Sequence, residues 1–293
     1  PCFWMATEDH DFEEINKLDF FNKNYSWDLK NKNAVGSLKT DSLLKILQKI
    51  KNQLTTTQFG IDLYKIFEFS YGKNSNYADA TRSIISSLFK DYGLIVIDGN
   101  HPSLKKTFSY HFASELSKEI IFKNVSKTNL IISNKYKPEI NSLKNNLFYL
   151  SNSVRSKVRC DAEKYFSTAH HMNWSMNQLL DEINKYPERF SPNVFLRTVY
   201  QQHILPNVLY IGGPSEISYW LQLKSVFEKF DVNFPILELR KFILFLSSKE
   251  LKLLSKYKIT NEDLFLSHEK KIKNILKKNT TSYTSNFIKE LNS

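Results

Sequence analysis

The chain has 293 residues, 41% of them apolar and 14% aromatic, which is the balance of a folded protein of about two domains and excludes a disordered one. Its 41 Lys and Arg against 30 Asp and Glu give a formal charge of +11, which suits solvated helical faces or an anionic substrate; no RNP, zinc-finger or helix-turn-helix signature points to nucleic acid. Seven glycines argue against repeat architectures, no apolar run reaches the roughly 18 residues of a membrane span, and two cysteines, Cys2 and Cys160, exclude a disulfide framework and suit a reducing cytosol.

Pro1 to Met5 reads as a buried strand, so the chain opens in mid-strand without an initiator Met and is expected to be an internal piece of a longer protein. Glu8, Asp9, His10 and Asp11 crowd ionisable groups at the exit of that strand. Such a cluster suits holding ligand amines or moving protons better than packing, and these four are the expected catalytic residues. Glu13 and Glu14 are expected only to complement the dipole of the next helix. Residues 16–75 read as a helical insertion, with one helix over Asp41 to Ile50 capped by Thr40 and a second over Phe59 to Phe69.

Tyr77 to Phe89 is an amphipathic helix that feeds Gly93 to Asp98, an apolar run of the kind found in buried parallel strands. Asp98 then stands at the carboxyl end of a second strand, as a site residue or as a turn residue. Ser103 to Ser133 reads as mostly helical, with Leu104, Phe108, Phe112, Leu116, Ile120 and Ile121 on one face. Residues 135–172 lack helical periodicity and read as short antiparallel strands in a small connecting subdomain. His170 and His171 have no further ligands at metal spacing, so no metal site is expected. Ser175 to Gln178 has the pattern of a capping box opening a helix through Tyr186. Ser191 to Pro206 reads as a loop and a helix ended by Pro206. Within it, Asn193, Arg197 and Tyr200 fall along one helical face at i, i+4 and i+7. An arginine among apolar neighbours suits bidentate binding of a carboxylate or phosphate, a structural salt bridge being the alternative.

Val208 to Lys224 and Phe234 to Arg240 make a βαβ unit: an apolar run, a Gly212-Gly213-Pro214 turn, an amphipathic helix and a second apolar run. The start of that helix offers free N–H groups to an anion, and in parallel sheets ligands sit beyond the carboxyl ends of strands. Gly212, Gly213, Pro214, Glu216, Tyr219 and Arg240 therefore join Asn193, Arg197 and Tyr200 as expected substrate- or anion-binding residues. Trp220 is expected in the core. After Arg240 the chain reads as helical again, and Lys270 to Lys278 as the start of an exposed helix or coiled coil.

These segments together resemble the cysteine-adding enzymes of bacillithiol biosynthesis, the BshC family. The resemblance rests on Phe3-Trp-Met-Ala-Thr-Glu-Asp-His-Asp-Phe12, Ala78-Asp-Ala-Thr-Arg82, Asp91-Tyr-Gly-Leu-Ile-Val-Ile-Asp98 and Asn146-Leu-Phe-Tyr149. It continues in Phe190-Ser-Pro-Asn-Val194, Leu196-Arg197, Tyr200-Gln201, Leu205-Pro206, Tyr210-Ile-Gly-Gly-Pro214, Glu216, Tyr219-Trp-Leu-Gln-Leu-Lys224 and Phe234-Pro-Ile-Leu237 with Arg240. It implies an α/β fold with a Rossmann-like, nucleotidyltransferase-type core carrying helical and small β insertions. The implied division is a first core part over 1–134, the connecting subdomain over 135–172, a second core part over 173–245 and a helical region leading to a coiled coil over 246–293. The implied function is a cytoplasmic, homodimeric ligase that adds L-cysteine to glucosaminyl-malate. ATP would activate the carboxyl group, with Mg2+ as a companion ion, and neither membrane nor nucleic acid takes part. A ligase for another amine and a non-catalytic helical scaffold stand as alternatives. Where the family has Pro-Arg-Asn-Ser after the last strand, this chain has Leu239-Arg-Lys-Phe242, which keeps the arginine alone.

Overall fold

The computed structural model describes residues 1–20, 23–30, 33–141, 143–152, 154–162 and 164–279. Chain contacts divide it into two compact units, Pro1–Arg240 and Lys241–Ser293.

The first unit opens with strand β1 (Cys2–Met5) and a one-turn helix α1 (Phe12–Ile15), followed by a hairpin of β2 (Lys17–Phe20) and β3 (Lys23–Ser26). This hairpin stands where a helical insertion was expected, because the alternation of Leu18 and Phe20 spans only four residues and β3 has no matching pattern. Helices α2 (Asp41–Leu54), α3 (Gln58–Lys73) and α4 (Tyr77–Phe89) follow where apolar periodicity placed them. Thr40 does not cap α2; its hydroxyl donates instead to the carbonyls of Tyr71 and Asn74, tying the start of α2 to the end of α3.

Strand β4 (Ile95–Asp98) pairs parallel with β1, Cys2 opposite Ile95 and Met5 opposite Asp98. Of β1 only Met5 is buried, so the strand is less enclosed than its apolar sequence predicts. Helices α5 (Pro102–Lys118) and α6 (Ile120–Ile132) are broken apart at Glu119, whose φ of 49° is left-handed. Ile120 and Ile121 therefore belong to a new helix and do not extend the α5 stripe of Phe108, Phe112 and Leu116.

Six short strands build the connecting region and its border: β5 (Leu147–Ser151), β6 (Val154–Lys157), β7 (Arg159–Asp161), β8 (Lys164–Ser167), β9 (Met172–Trp174) and, after α7 (Met176–Lys185), β10 (Phe190–Pro192). They form two antiparallel sheets, ordered β10-β5-β6 and β7-β8-β9. The capping box at Ser175 and Gln178 is present at the start of α7. The unit closes with α8 (Val194–Ile204), β11 (Leu209–Gly212), α9 (Pro214–Leu221), α10 (Lys224–Lys229) and β12 (Ile236–Leu239), with β11 and β12 parallel as the βαβ pattern requires.

One apolar core joins the elements from α5 onward, with Phe108 and Phe112 of α5, Val125 of α6, Leu179 of α7, Leu196 and Tyr200 of α8, and Trp220 of α9 all buried, while smaller clusters form around Trp27 and around Tyr64. Trp220 stacks on Tyr210 at 4.2 Å between centroids, as a core residue. The second unit holds α11 (Ser248–Lys256), capped by Ser247, and α12 (His268–Asn279). The remainder of the expected helical region, residues 280–293, lies outside the described residues.

Against this core, His111 of α5 and His203 of α8 sit with ring centroids 4.6 Å apart. Burial, together with the charge of His203, lowers the His111 pKa from 6.5 to about 4. Between those values the unfolded chain takes a proton that the native one refuses, so stability is complete above pH 6.5 and falls as the pH drops towards 4. Allowing for screening at a half-buried ring, the loss between pH 7.5 and 5 is about 1 kcal/mol. His111→Gln removes that share of the slope, measured as the urea midpoint of both proteins at the two pH values.

Candidate active site

A cavity of about 1180 Å3 lies between the two parallel strand pairs. It touches Cys2, Phe3 and Trp4 of β1 and Leu209, Tyr210 and Ile211 of β11. Consecutive residues of a strand face opposite ways, so a cavity meeting three in a row on each strand runs along two strand edges. Towards the carboxyl ends of these strands its lining turns polar, with Asp9, Asp11, Arg155, Asn193, Arg197, Glu216, Tyr219 and Arg240.

Arg197 stands one turn into α8, whose first turn is capped by Asn193: Asn193 Oδ1 accepts from Leu196 N at 3.0 Å. The Arg197 guanidinium donates to Gln201 Oε1 at 3.0 Å and to the Tyr219 hydroxyl at 2.9 Å. Neither partner is a carboxylate, so its charge has no counter-ion among the described residues. The salt-bridge alternative for Arg197 is thereby set aside. The side chain of Arg240, exposed just beyond β12, also has no hydrogen-bond or ion-pair partner among the described residues, while its backbone N donates to Gly212 O at 2.8 Å. Burial pushes the phenols of Tyr210 and Tyr219 above their ordinary range, so both remain protonated donors. Two arginines without carboxylate partners and the neutral Tyr219 phenol make a setting for an anion at the strand ends, the Tyr210 hydroxyl being taken up by Glu216.

The helix start at Gly212-Gly213-Pro214 is not the open cradle the sequence suggested. Glu216 Oε2 accepts from Gly213 N at 2.7 Å while its Oε1 accepts from Tyr210 OH at 2.8 Å. Glu216 thus places its own carboxylate at the helix start, and Gly212 and Gly213 are both buried away from the cavity lining. What Gly213 does supply is room, because a Cβ there would meet Arg240 Nη2 at 3.0 Å and Glu216 Oε2 at 3.3 Å. Pro214 serves as the first helical residue.

The acidic cluster divides. Asp9 and Asp11 line the cavity, Asp9 lying 3.6 Å from Arg155. Glu8 does not: it is buried and accepts from Lys105 Nζ at 2.6 Å. His10 is also committed. Its Nε2 accepts from Arg155 N at 3.0 Å, which places the ring proton on Nδ1, 3.2 Å from the Glu8 carbonyl oxygen. These two residues shape the loop and leave Asp9 and Asp11 as the members of the cluster that line the cavity, beside Glu14 and Glu216. Asp11 stands at the N-cap position of α1 but makes no side-chain cap there.

Tyr200 turns into the core. Its hydroxyl donates to Gly99 O at 2.8 Å and its ring packs on Trp4, Phe108 and Phe112, so it is corrected from a binding to a packing residue. The i+7 spacing failed because α8 is buried on more than one side and its polar face is narrower than the pattern implied. Asp98 accepts from the Thr7 hydroxyl and from Asn100 N at 2.9 Å, which is the turn role; it borders a smaller, separate cavity.

Sequence reasoning missed Arg155. It reaches the cavity from β6, stacked 3.8 Å from the Phe148 centroid, with Nε donating to Ser191 Oγ at 2.9 Å and Nη2 to Pro192 O at 3.0 Å. Nothing local marks it, since it comes from a short strand far from the other site residues in sequence. Among the described residues no group of three or more His, Cys, Asp or Glu is arranged to hold a metal ion.

The sequence model of the family described as "Bacillithiol biosynthesis BshC, N-terminal Rossmann-like domain" matches residues 1–241. The chain belongs to the BshC family. Among its relatives is the "Putative cysteine ligase BshC" of Flavobacterium johnsoniae, 39% identical over 269 residues that cover 92% of this chain and 51% of that protein. The protein of the same name from Christiangramia forsetii is 37% identical over 283 residues, covering 95% and 53%. That from Bacillus cytotoxicus is 29% identical over 287 residues, covering 93% and 53%. The chain thus spans about half the length of the curated BshC relatives it matches. The two parallel strand pairs and their cavity lie within the residues that match this Rossmann-like domain. No described helix is long and apolar enough to cross a membrane.

Proposed function

We propose that this chain forms the Rossmann-like part of a ligase that joins L-cysteine to glucosaminyl-malate, the last step of bacillithiol biosynthesis. The observation that carries the reading is the meeting, in a BshC chain, of Arg197 and Arg240 with Asp9 and Asp11 at the carboxyl ends of β1, β11 and β12. Both substrates carry a carboxylate, and each also carries an amine. Arg197, with the Tyr219 hydroxyl, binds and orients the carboxylates. Asp9 and Asp11 face the amines. Bond formation runs from the glucosamine nitrogen to the cysteine carboxyl carbon; the carboxyl's leaving group departs and the nitrogen loses a proton, for which Asp9 or Asp11 is the acceptor.

ATP is the proposed source of activation, and when bound it turns the cysteine carboxyl into a group that an amine can displace. Arg240, unpaired among the described residues, suits its phosphates, whereas Glu216 opposes an anion at the start of α9. In the full-length protein we take the core to be of the nucleotidyltransferase type, the helical region after Arg240 to lead into a coiled coil, the assembly to be a homodimer and the location to be the cytoplasm. Deleting the full-length gene is expected to abolish bacillithiol and to accumulate glucosaminyl-malate, measured by mass spectrometry of thiol-labelled extracts. An unchanged bacillithiol level overturns the proposal.

A further inference from the structure

A buried carboxylate outside the cavity is connected to it by two asparagines. Glu115, 1% exposed on α5, accepts through Oε2 from Ile121 N at 3.0 Å and through Oε1 from Asn146 Nδ2 at 2.7 Å. The second N–H of Asn146 goes to Leu143 O at 3.0 Å, and its Oδ1 accepts from Asn193 Nδ2 at 2.6 Å. Asn193 Oδ1 in turn accepts from Leu196 N and caps α8. The backbones run alongside, Asn193 N donating to Asn146 O at 2.9 Å and Arg197 N to Asn193 O at 2.8 Å.

The direction of this chain is set at its buried end. An ionised carboxylate only accepts, so Asn146 must turn its NH2 towards Glu115 and its oxygen towards Asn193. Asn193 must then turn its own NH2 back to Asn146 and its oxygen to the helix start. All four polar positions of Asn146 and Glu115 named above are satisfied, and Asn146 is fully buried, so neither amide can flip without leaving a buried group unpaired. One N–H of Asn193 Nδ2 has no partner among the described residues, on a residue that lines the cavity within a turn of Arg197.

We propose that Glu115 is a positioning residue: it fixes the orientation of Asn193 so that the cavity is offered an N–H donor beside Arg197, as a carboxylate ligand requires. The ligand class rests on the reading of the cavity given above; the orientation of Asn193 does not.

Glu115→Gln tests it with little change of volume. A glutamine that keeps its oxygen on Ile121 N turns its own NH2 to Asn146 and reverses both asparagines, setting donor against donor at Leu196. Burial raises the Glu115 pKa to about 7, so the comparison is made at pH 8.5, where the carboxylate is ionised. In this chain, amide exchange at Leu196 is expected to quicken about tenfold on loss of the cap, with the Asn193 side-chain NH2 resonances shifted and exchange at Val125 unchanged. Unchanged Leu196 exchange and Asn193 resonances overturn the proposal. Should Glu115→Gln fail to fold, Asn193→Ser keeps a capping oxygen but removes the donor. In the full-length protein it is expected to raise KM for glucosaminyl-malate about tenfold at constant kcat, and an unchanged KM overturns the carboxylate-donor role. A wild-type protein without turnover counts against the ligase reading alone, because the exchange measurement needs no substrate.

Discussion

Lys105→Met is expected to destabilise the chain by about 3–5 kcal/mol, because it leaves the Glu8 carboxylate buried without its cation. Lys105 is fully buried on α5 and its ammonium reaches three segments at once: Glu8 Oε2 at 2.6 Å, Asn100 Oδ1 at 2.7 Å and Glu188 O at 3.4 Å. Those residues follow β1, follow β4 and precede β10, so one amine holds together the exits of two strands and the entry of a third. The sign follows from the asymmetry of buried pairs: desolvation of both ions offsets most of their attraction, but an ion left alone keeps the whole penalty. Lys105→Met combined with Glu8→Leu is therefore expected to recover much of the loss. Urea unfolding of the two single variants and the double variant checks this through the coupling between the sites. A loss below about 1 kcal/mol for Lys105→Met would return Glu8 to the solvent and reopen its role as a catalytic acid.

The second large effect is functional. Arg197→Ala is expected to lower kcat/KM of the full-length protein by about 30- to 10³-fold, since a charged hydrogen bond to a desolvated carboxylate is worth about 2–4 kcal/mol once its partner is left unpaired. Arg197→Lys should restore little, because a point charge cannot reproduce the fork that holds Gln201 and Tyr219 while facing the ligand. Tyr200→Phe serves as the contrast. It removes only the bond to Gly99 O in the core and is expected to cost stability and not turnover.

The parallel strand pairs were legible in the sequence because unbroken apolar runs such as Leu94 to Ile97 and Leu209 to Ile211, bounded by Gly and Pro, have few other solutions. The helices at α4, α5 and α8 were legible through apolar spacing. Roles within the site were less so, since a side chain's partner is set by tertiary packing. The cluster from Glu8 to Asp11 reads as one acidic patch, yet a lysine nearly a hundred residues away removes Glu8 from it. His10 is withdrawn by a backbone N–H from β6, and Glu216, counted as a ligand-binding residue, satisfies its own helix. Arg155 shows the reverse: it enters the cavity only because the β5–β6 hairpin folds back over β10.

The cavity at the carboxyl ends of β1, β11 and β12 is proposed to bind the carboxylates of the two substrates through Arg197. Calorimetric titration of glucosaminyl-malate into full-length protein, wild type and Arg197→Ala, tests this most directly. Saturable binding to the wild type and a loss of at least about 30-fold in affinity for the variant are expected. Equal affinity for the two proteins would contradict it.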